Sequence, residues 1–103
     1  CGRVINPDTL HAQVESAIAL ALSYTLKHAI TIEDGAVVER NYTDYPILRI
    51  DEMPEVEVHV VPSDDPPTGI GEPPVPPLAA AVTNALFDAI GQRVRELPVV
   101  GVR

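Results

Sequence analysis

Between Asp8 and about Lys27, apolar residues recur at helical spacing: Leu10, Val14, Ala17, Ile18, Ala21 and Leu22. Leu20 and Leu26 widen that stripe, so the helix is expected to be buried on more than one side. Asn6 and Pro7 mark its start. An Asn side chain can accept a free backbone N–H there, and proline suits a first turn whose N–H groups lack helical partners. Residues 1–7 read as the end of a strand entering this helix. The pattern then changes. Ile30-Thr31-Ile32 and Ala36-Val37-Val38 flank Asp34-Gly35, which predicts a two-residue hairpin turn because glycine accepts positive φ. A loop through Asn41 and Asp44 leads to Ile47–Ile50, a candidate extended stretch. Val56–Val61 alternates like a strand with one buried face, with His59 pointing outward. Residues 62–77 hold seven of the eleven prolines, together with Gly69 and Gly71. Proline stiffens this loop, and glycine lets its backbone come close to another group. A last helix is predicted from near Pro77 to about Gln92, with Leu78, Val82, Ala85, Leu86 and Ala89 inward. Gly91, Arg93 and Arg95 suit its C-terminus. The order predicts an α+β fold: two helices packed on a small mixed or antiparallel sheet, with a β-hairpin and a Pro/Gly-rich loop.

Composition narrows the class. A hydrophobic fraction of 46% supports a core, and three Tyr, one Phe and no Trp make that core aliphatic. The net charge of -8 disfavours phosphate backbones and anionic lipid as partners. No apolar run approaches the ~18 residues that span a bilayer. At 103 residues the chain fits one small domain or part of a larger one. It begins at Cys1 without an initiator Met, and residues 1–103 are expected to be a single piece cut from a longer protein.

Most titratable residues offer no recognisable site. His11, His28 and His59 share no metal-ligand spacing, and Cys1 stands alone. His11 and His28 fall near helix ends, where solvation is expected. No serine lies in a Gly-x-Ser-x-Gly elbow, and Gly69-Ile70-Gly71 is followed by proline rather than a dinucleotide-binding helix. Asp51, Glu52, Glu55 and Glu57 read as a solvated strand edge. Asp64 and Asp65 sit at a proline-flanked turn, with too few regularly spaced oxygen donors for calcium. Glu72 differs in its setting. Gly71 and Pro73 frame it in a stiff loop, the presentation a general base requires, although Gly-Glu-Pro also suits a surface turn. Gln13 on the first helix can serve a polar ligand or remain a surface amide.

Taken in order, Val4-Ile5-Asn6-Pro7, Gln13-Val14-Glu15, Asn41-Tyr42-Thr43-Asp44-Tyr45 and Pro66-Pro67-Thr68-Gly69-Ile70-Gly71-Glu72-Pro73 resemble the C-terminal part of a known subunit. It is the molybdopterin-binding large subunit of the xanthine dehydrogenase/aldehyde oxidase family, with the isoquinoline 1-oxidoreductase β subunit closest in flavour. Arg49, Met53-Pro54, Val56–His59 and Gly91–Pro98 extend the resemblance over essentially the whole chain. It implies a molybdenum hydroxylase that oxidises an aldehyde or N-heterocycle by inserting water-derived oxygen, with Glu72 as the general base on Mo–OH. It also implies Gln13, Gly69 and Gly71 as cofactor contacts. The implied cofactor is molybdopterin cytosine dinucleotide carrying Mo, with [2Fe–2S] clusters on an iron–sulfur small subunit, since no Cys cluster here could hold them. The rest of the large subunit and a small-molecule substrate complete the implied partners, and the bacterial periplasm is favoured over the cytoplasm. The sequence departs from the family after Glu15, where Ser16 and Ala17 replace small glycines common in relatives. A competing reading is a non-catalytic α+β interaction or structural module braced by its proline loop.

Overall fold

The computed structural model describes residues 1–100. Its first element is α1 (Pro7–Leu26), which begins as the sequence predicts: Asn6 Oδ1 accepts the Thr9 N–H at 3.1 Å, and Pro7 opens the first turn. Among the described residues, every buried one, namely Leu10, Ala17, Ala21, Leu22, Ser23 and Thr25, lies on this helix. Val14, Ile18 and Leu26 are half-buried beside them, while Leu20 stays exposed. The core is aliphatic as expected, and it is the surface of one helix rather than the space between two layers.

The hairpin forms where Asp34-Gly35 places it. β1 (Ile32–Glu33) pairs antiparallel with β2 (Ala36–Val37). Asp34 at φ 50° and Gly35 at φ 78° supply the left-handed pair that such a turn demands. The Val38 N–H donates to Thr31 C=O, and Glu39 accepts the Thr31 N–H, so the hairpin closes at its open end.

α2 (Val75–Ile90) starts two residues before the expected Pro77, with Pro76 and Pro77 accommodated in its first turn. It ends at Gly91, whose φ of 70° and N–H bond to Phe87 C=O close the last turn. Its half-buried stripe is Val75, Leu78, Ala79, Val82, Thr83 and Leu86. The expected inward positions Ala85 and Ala89 are exposed instead, because α2 meets only α1 and a single contact buries a narrower arc. Two helices and a two-stranded antiparallel sheet make the α+β fold expected, with helix packed on helix.

Three expected elements differ. The extended stretch expected over Ile47–Ile50 stops one residue short: Arg49 is extended, and Ile50–Glu52 forms a 3-10 turn, with Glu52 accepting the Arg49 N–H at 2.8 Å. Val56–Val61 alternates only as far as His59, with Val56 and Val58 half-buried and Glu57 and His59 exposed; Val60 and Val61 are both exposed, and the segment forms no ladder among the described residues. Residues 1–4 likewise lie outside any assigned strand, yet they pair with the proline loop. The Arg3 N–H donates to Asp65 C=O and the Thr68 N–H to Cys1 C=O, both at 3.0 Å. Pro66 and Pro67 have no N–H to offer, so the pairing skips over them.

His28 is not solvated. Its ring stacks on Tyr45 with centroids 3.9 Å apart and tilts against Tyr24, and neither nitrogen meets a partner among the described residues. Glu52 is likewise more than a solvated edge. Lys27 Nζ donates to both its carboxylate oxygens, at 2.6 Å to Oε1, tying the 3-10 turn to the end of α1.

The accessible surface is 7859 Å², where a compact monomer of this mass would show about 5,700 Å². The radius of gyration is 16.6 Å, against about 13 Å for a compact domain of this length. The fold is therefore extended, with much apolar surface uncovered. No helix among the described residues is long and apolar enough to cross a membrane.

The Lys27–Glu52 tie yields a pH prediction. Donation from Lys27, then from the Arg49 N–H, holds the Glu52 carboxyl below its usual value. A group depressed on folding stabilises above its unfolded value and loses that contribution as pH falls through its folded value. Glu52→Gln should therefore flatten the acid limb of a stability-versus-pH profile. An unchanged acid limb would show that the tie contributes nothing.

Candidate functional site

The Pro/Gly loop is built from its two ends. Its root is fixed by the pairing of residues 1–3 with 65–68. Gly2 makes that approach possible: at φ 63°, a Cβ there would collide with Pro66 C=O and lie 2.9 Å from Asp65 O. Its exit is the turn in which Glu72 C=O accepts the Val75 N–H at 2.9 Å, leading straight into α2. The loop thus crosses α1 between two anchored points.

Two depressions flank it. A cavity of about 310 Å³ lies between the start of α1 and the loop root, lined among others by Thr9, Leu10, Gln13, Pro67, Thr68 and Gly69. A groove of about 410 Å³ lies on the other side, between Leu20 and Tyr24 of α1 and Gly71, Glu72, Val75 and Pro76. Gly71 forms the crossing between them. Gln13 Nε2 lies 3.4 Å from the point where a Gly71 Cβ would stand.

The structure therefore brings Gln13, Gly69 and Gly71 to one neighbourhood, with Glu72 exposed at its edge and opening on the groove. Neither Gly69 nor Gly71 has positive φ, so neither glycine is demanded by backbone conformation. A Cβ on Gly71 would make only an ordinary contact with the Gln13 side chain, and one on Gly69 would meet nothing within 4 Å. Sequence reasoning missed Gly2, Thr9, Thr68, Leu20 and Tyr24. Nothing local marks Gly2, because the backbone it approaches, at Asp65 and Pro66, lies far along the chain. Leu20 and Tyr24 are four residues apart, and nothing in a helical stripe distinguishes a groove wall from a core position.

The donor set favours an organic ligand over a bare metal. No three His, Cys, Asp or Glu side chains gather among the described residues. The cavity offers the Gln13 amide and the Thr9 and Thr68 hydroxyls between the apolar walls of Leu10 and Pro67. Few polar groups set on apolar walls are usual for cofactor pockets, although this volume is at the small end of the ~300–1,000 Å³ range.

Gly2→Ala tests the loop root. Left-handed φ in a non-glycine costs about 1–3 kcal/mol, so amide exchange at Arg3 and Thr68 should quicken roughly ten- to hundredfold. Unaltered exchange in a protein carrying this chain would mean that the pairing does not depend on Gly2.

Comparison with known proteins gives a consistent picture. A family model described as a molybdopterin cofactor-binding domain matches residues 1–54, which include α1 and Gln13. The chain is 37% identical, over 99% of its length, to one of the subunits of nicotinate dehydrogenase from Pseudomonas putida. It is 40% identical over 95% of its length to a membrane-bound aldehyde dehydrogenase [pyrroloquinoline-quinone] of Gluconacetobacter polyoxogenes. To the β subunit of isoquinoline 1-oxidoreductase from Brevundimonas diminuta it is 33% identical over 95%. These alignments run past the family match and reach the Glu72 loop. The chain spans 9%, 13% and 12% of those relatives' lengths, respectively.

Proposed function

The chain belongs to the molybdopterin cofactor-binding domain family, and from that premise we propose that it is part of a molybdenum-dependent oxidoreductase in which Glu72 is the general base. The observation that carries this reading is the anchored loop. It presents one exposed carboxylate between Gly71 and Pro73, opening on the groove across the loop from a cavity suited to an organic cofactor.

The residues fit the group. Gln13, with Thr9 and Thr68, would hold an edge of the pterin by hydrogen bonds, and the open space over Gly69 would admit it close to the backbone. When bound, the cofactor supplies the two-electron oxidation. The chain's own part is positional. Pro73 and Pro74 limit the backbone beside Glu72, the turn to Val75 fixes its carbonyl, and the exposed carboxylate can accept a proton from the attacking water-derived hydroxyl. A base fixed in this way loses little entropy in reaching its proton.

The substrate class proposed is an aldehyde or N-heterocycle, in line with relatives named for nicotinate, isoquinoline and aldehyde. The Gluconacetobacter relative's name carries pyrroloquinoline quinone. The cofactor reading here follows the family match instead. The cytosine dinucleotide form of the cofactor and an iron–sulfur partner subunit rest on the resemblance, as does the periplasm as compartment. Two of these relatives are named as subunits, which supports a partnered enzyme. The surplus of exposed surface supports residues 1–103 as one piece of a larger molybdopterin-binding unit.

Glu72→Gln in the full-length enzyme is the test. General-base removal costs about 10²–10⁴-fold, so kcat should fall by at least that lower figure with molybdenum occupancy intact. Near-normal turnover at full occupancy would sink the assignment.

A further inference from the structure

Residues 53–64 run without a turn or bend, yet no backbone group of Glu55–Val61 makes a hydrogen bond among the described residues. The composition of this segment is that of a strand. Val56, Val58, Val60 and Val61 are β-branched, and no glycine or asparagine interrupts them. Pro54 and Pro62 bound the run at positions where a missing N–H removes nothing from a ladder. Val56 and Val58 are half-buried and Glu55, Glu57 and His59 exposed, so two faces are already distinguished. At the far end Val60 and Val61 both face water, Val61 at 83% exposure. Water can serve the free backbone groups, but an open edge of this length is a template for another strand.

We propose that Glu55–Val61 is a docking strand, completed by β-pairing with an extended segment from the rest of the same subunit. The inference rests on the reading of residues 1–103 as one piece of a larger molybdopterin-binding unit. The chain spans only 9–13% of its relatives' lengths, so such a subunit has ample polypeptide to supply the segment. A tethered segment is also present at high effective concentration. A second copy is disfavoured, because it would bring one net charge of -8 against another. The charges on the strand define the chemistry of its partner. Like charges directly opposite each other destabilise a pair of strands. The docking segment therefore carries Lys, Arg, Ser or Thr opposite Glu55 and Glu57, and apolar residues opposite Val56 and Val58. Docking also bears on the candidate site, since Asp65 and Thr68, just beyond Val61, root the Glu72 loop on Cys1–Arg3.

Amide exchange and photo-cross-linking on the full-length enzyme, with its partner subunit, test the proposal. Amides within Glu55–Val61 should exchange roughly a hundredfold or more slowly than in an unstructured peptide of the same sequence. With p-benzoylphenylalanine in place of Val61, irradiation should join this position to a peptide of the same subunit outside residues 1–103, one that alternates apolar residues with basic or hydroxyl ones. Heavy-isotope labelling of half the molecules separates that product from a link between two copies. Coil-like exchange throughout Glu55–Val61 would overturn the proposal. So would a cross-link that is absent, lies within residues 1–103, or reaches only another subunit or a second copy. Neither readout depends on turnover or metal, so failure of the molybdenum reading would show separately, as an enzyme purified without molybdenum.

Discussion

The structure depends on the packing of other segments against α1. Ala17 and Ala21, each only 3% exposed, keep the helix surface low enough for neighbours to approach its backbone. A larger side chain at either place would push those neighbours off, and overpacking of this kind typically costs about 1–3 kcal/mol. The C-terminal half of α1 then gathers the rest of the chain by hydrogen bonds. Ser23 Oγ donates to Ala19 C=O and accepts the Leu48 N–H, while Thr25 C=O accepts the Val99 N–H at 2.7 Å. Tyr45 stacks on His28 and Glu52 pairs with Lys27, so loops that lack regular structure still have fixed places.

That arrangement explains how a chain with a thin core can hold a precise site. The proline loop needs no core of its own. It is pinned at the root by Cys1–Arg3 and at the exit by the first turn of α2, and between them Gly71 passes near the Gln13 side chain. The prolines reduce what the loop loses in entropy on being pinned. The hairpin and the exposed apolar positions Ile30, Ile32 and Ile47 take no part in this and remain uncovered. A site held in this way is a ledge against which further protein and a cofactor can be placed, and it is not an enclosed pocket.

Much of this was legible in the sequence, for local reasons. Asn6-Pro7, Asp34-Gly35 and Gly91 each encode a terminus or turn through their own backbone preferences, and each is found where expected. Non-local features were not legible. Val56–Val61 alternates as a strand does, but pairing needs a partner that alternation cannot name. His28 looked solvated because nothing near it in sequence announces the Tyr45 stack. The acidic run around Glu52 hid a specific ion pair, since its partner Lys27 lies 25 residues away. For the site, the ordered motifs singled out Gln13, Gly69, Gly71 and Glu72. That Gln13 abuts Gly71 depends on how the loop crosses α1, which is a tertiary fact.

All of this turns on α1 fixing the Glu72 loop in a place useful to a bound molybdopterin. A crystal structure of the cofactor-loaded full-length protein is the decisive measurement. The expected result is the loop still seated across α1, the cofactor edge at Thr9, Gln13 and Thr68, and the Glu72 carboxylate turned toward the metal end. A loop lifted away from α1, or a cofactor bound elsewhere with Glu72 facing away, would contradict it.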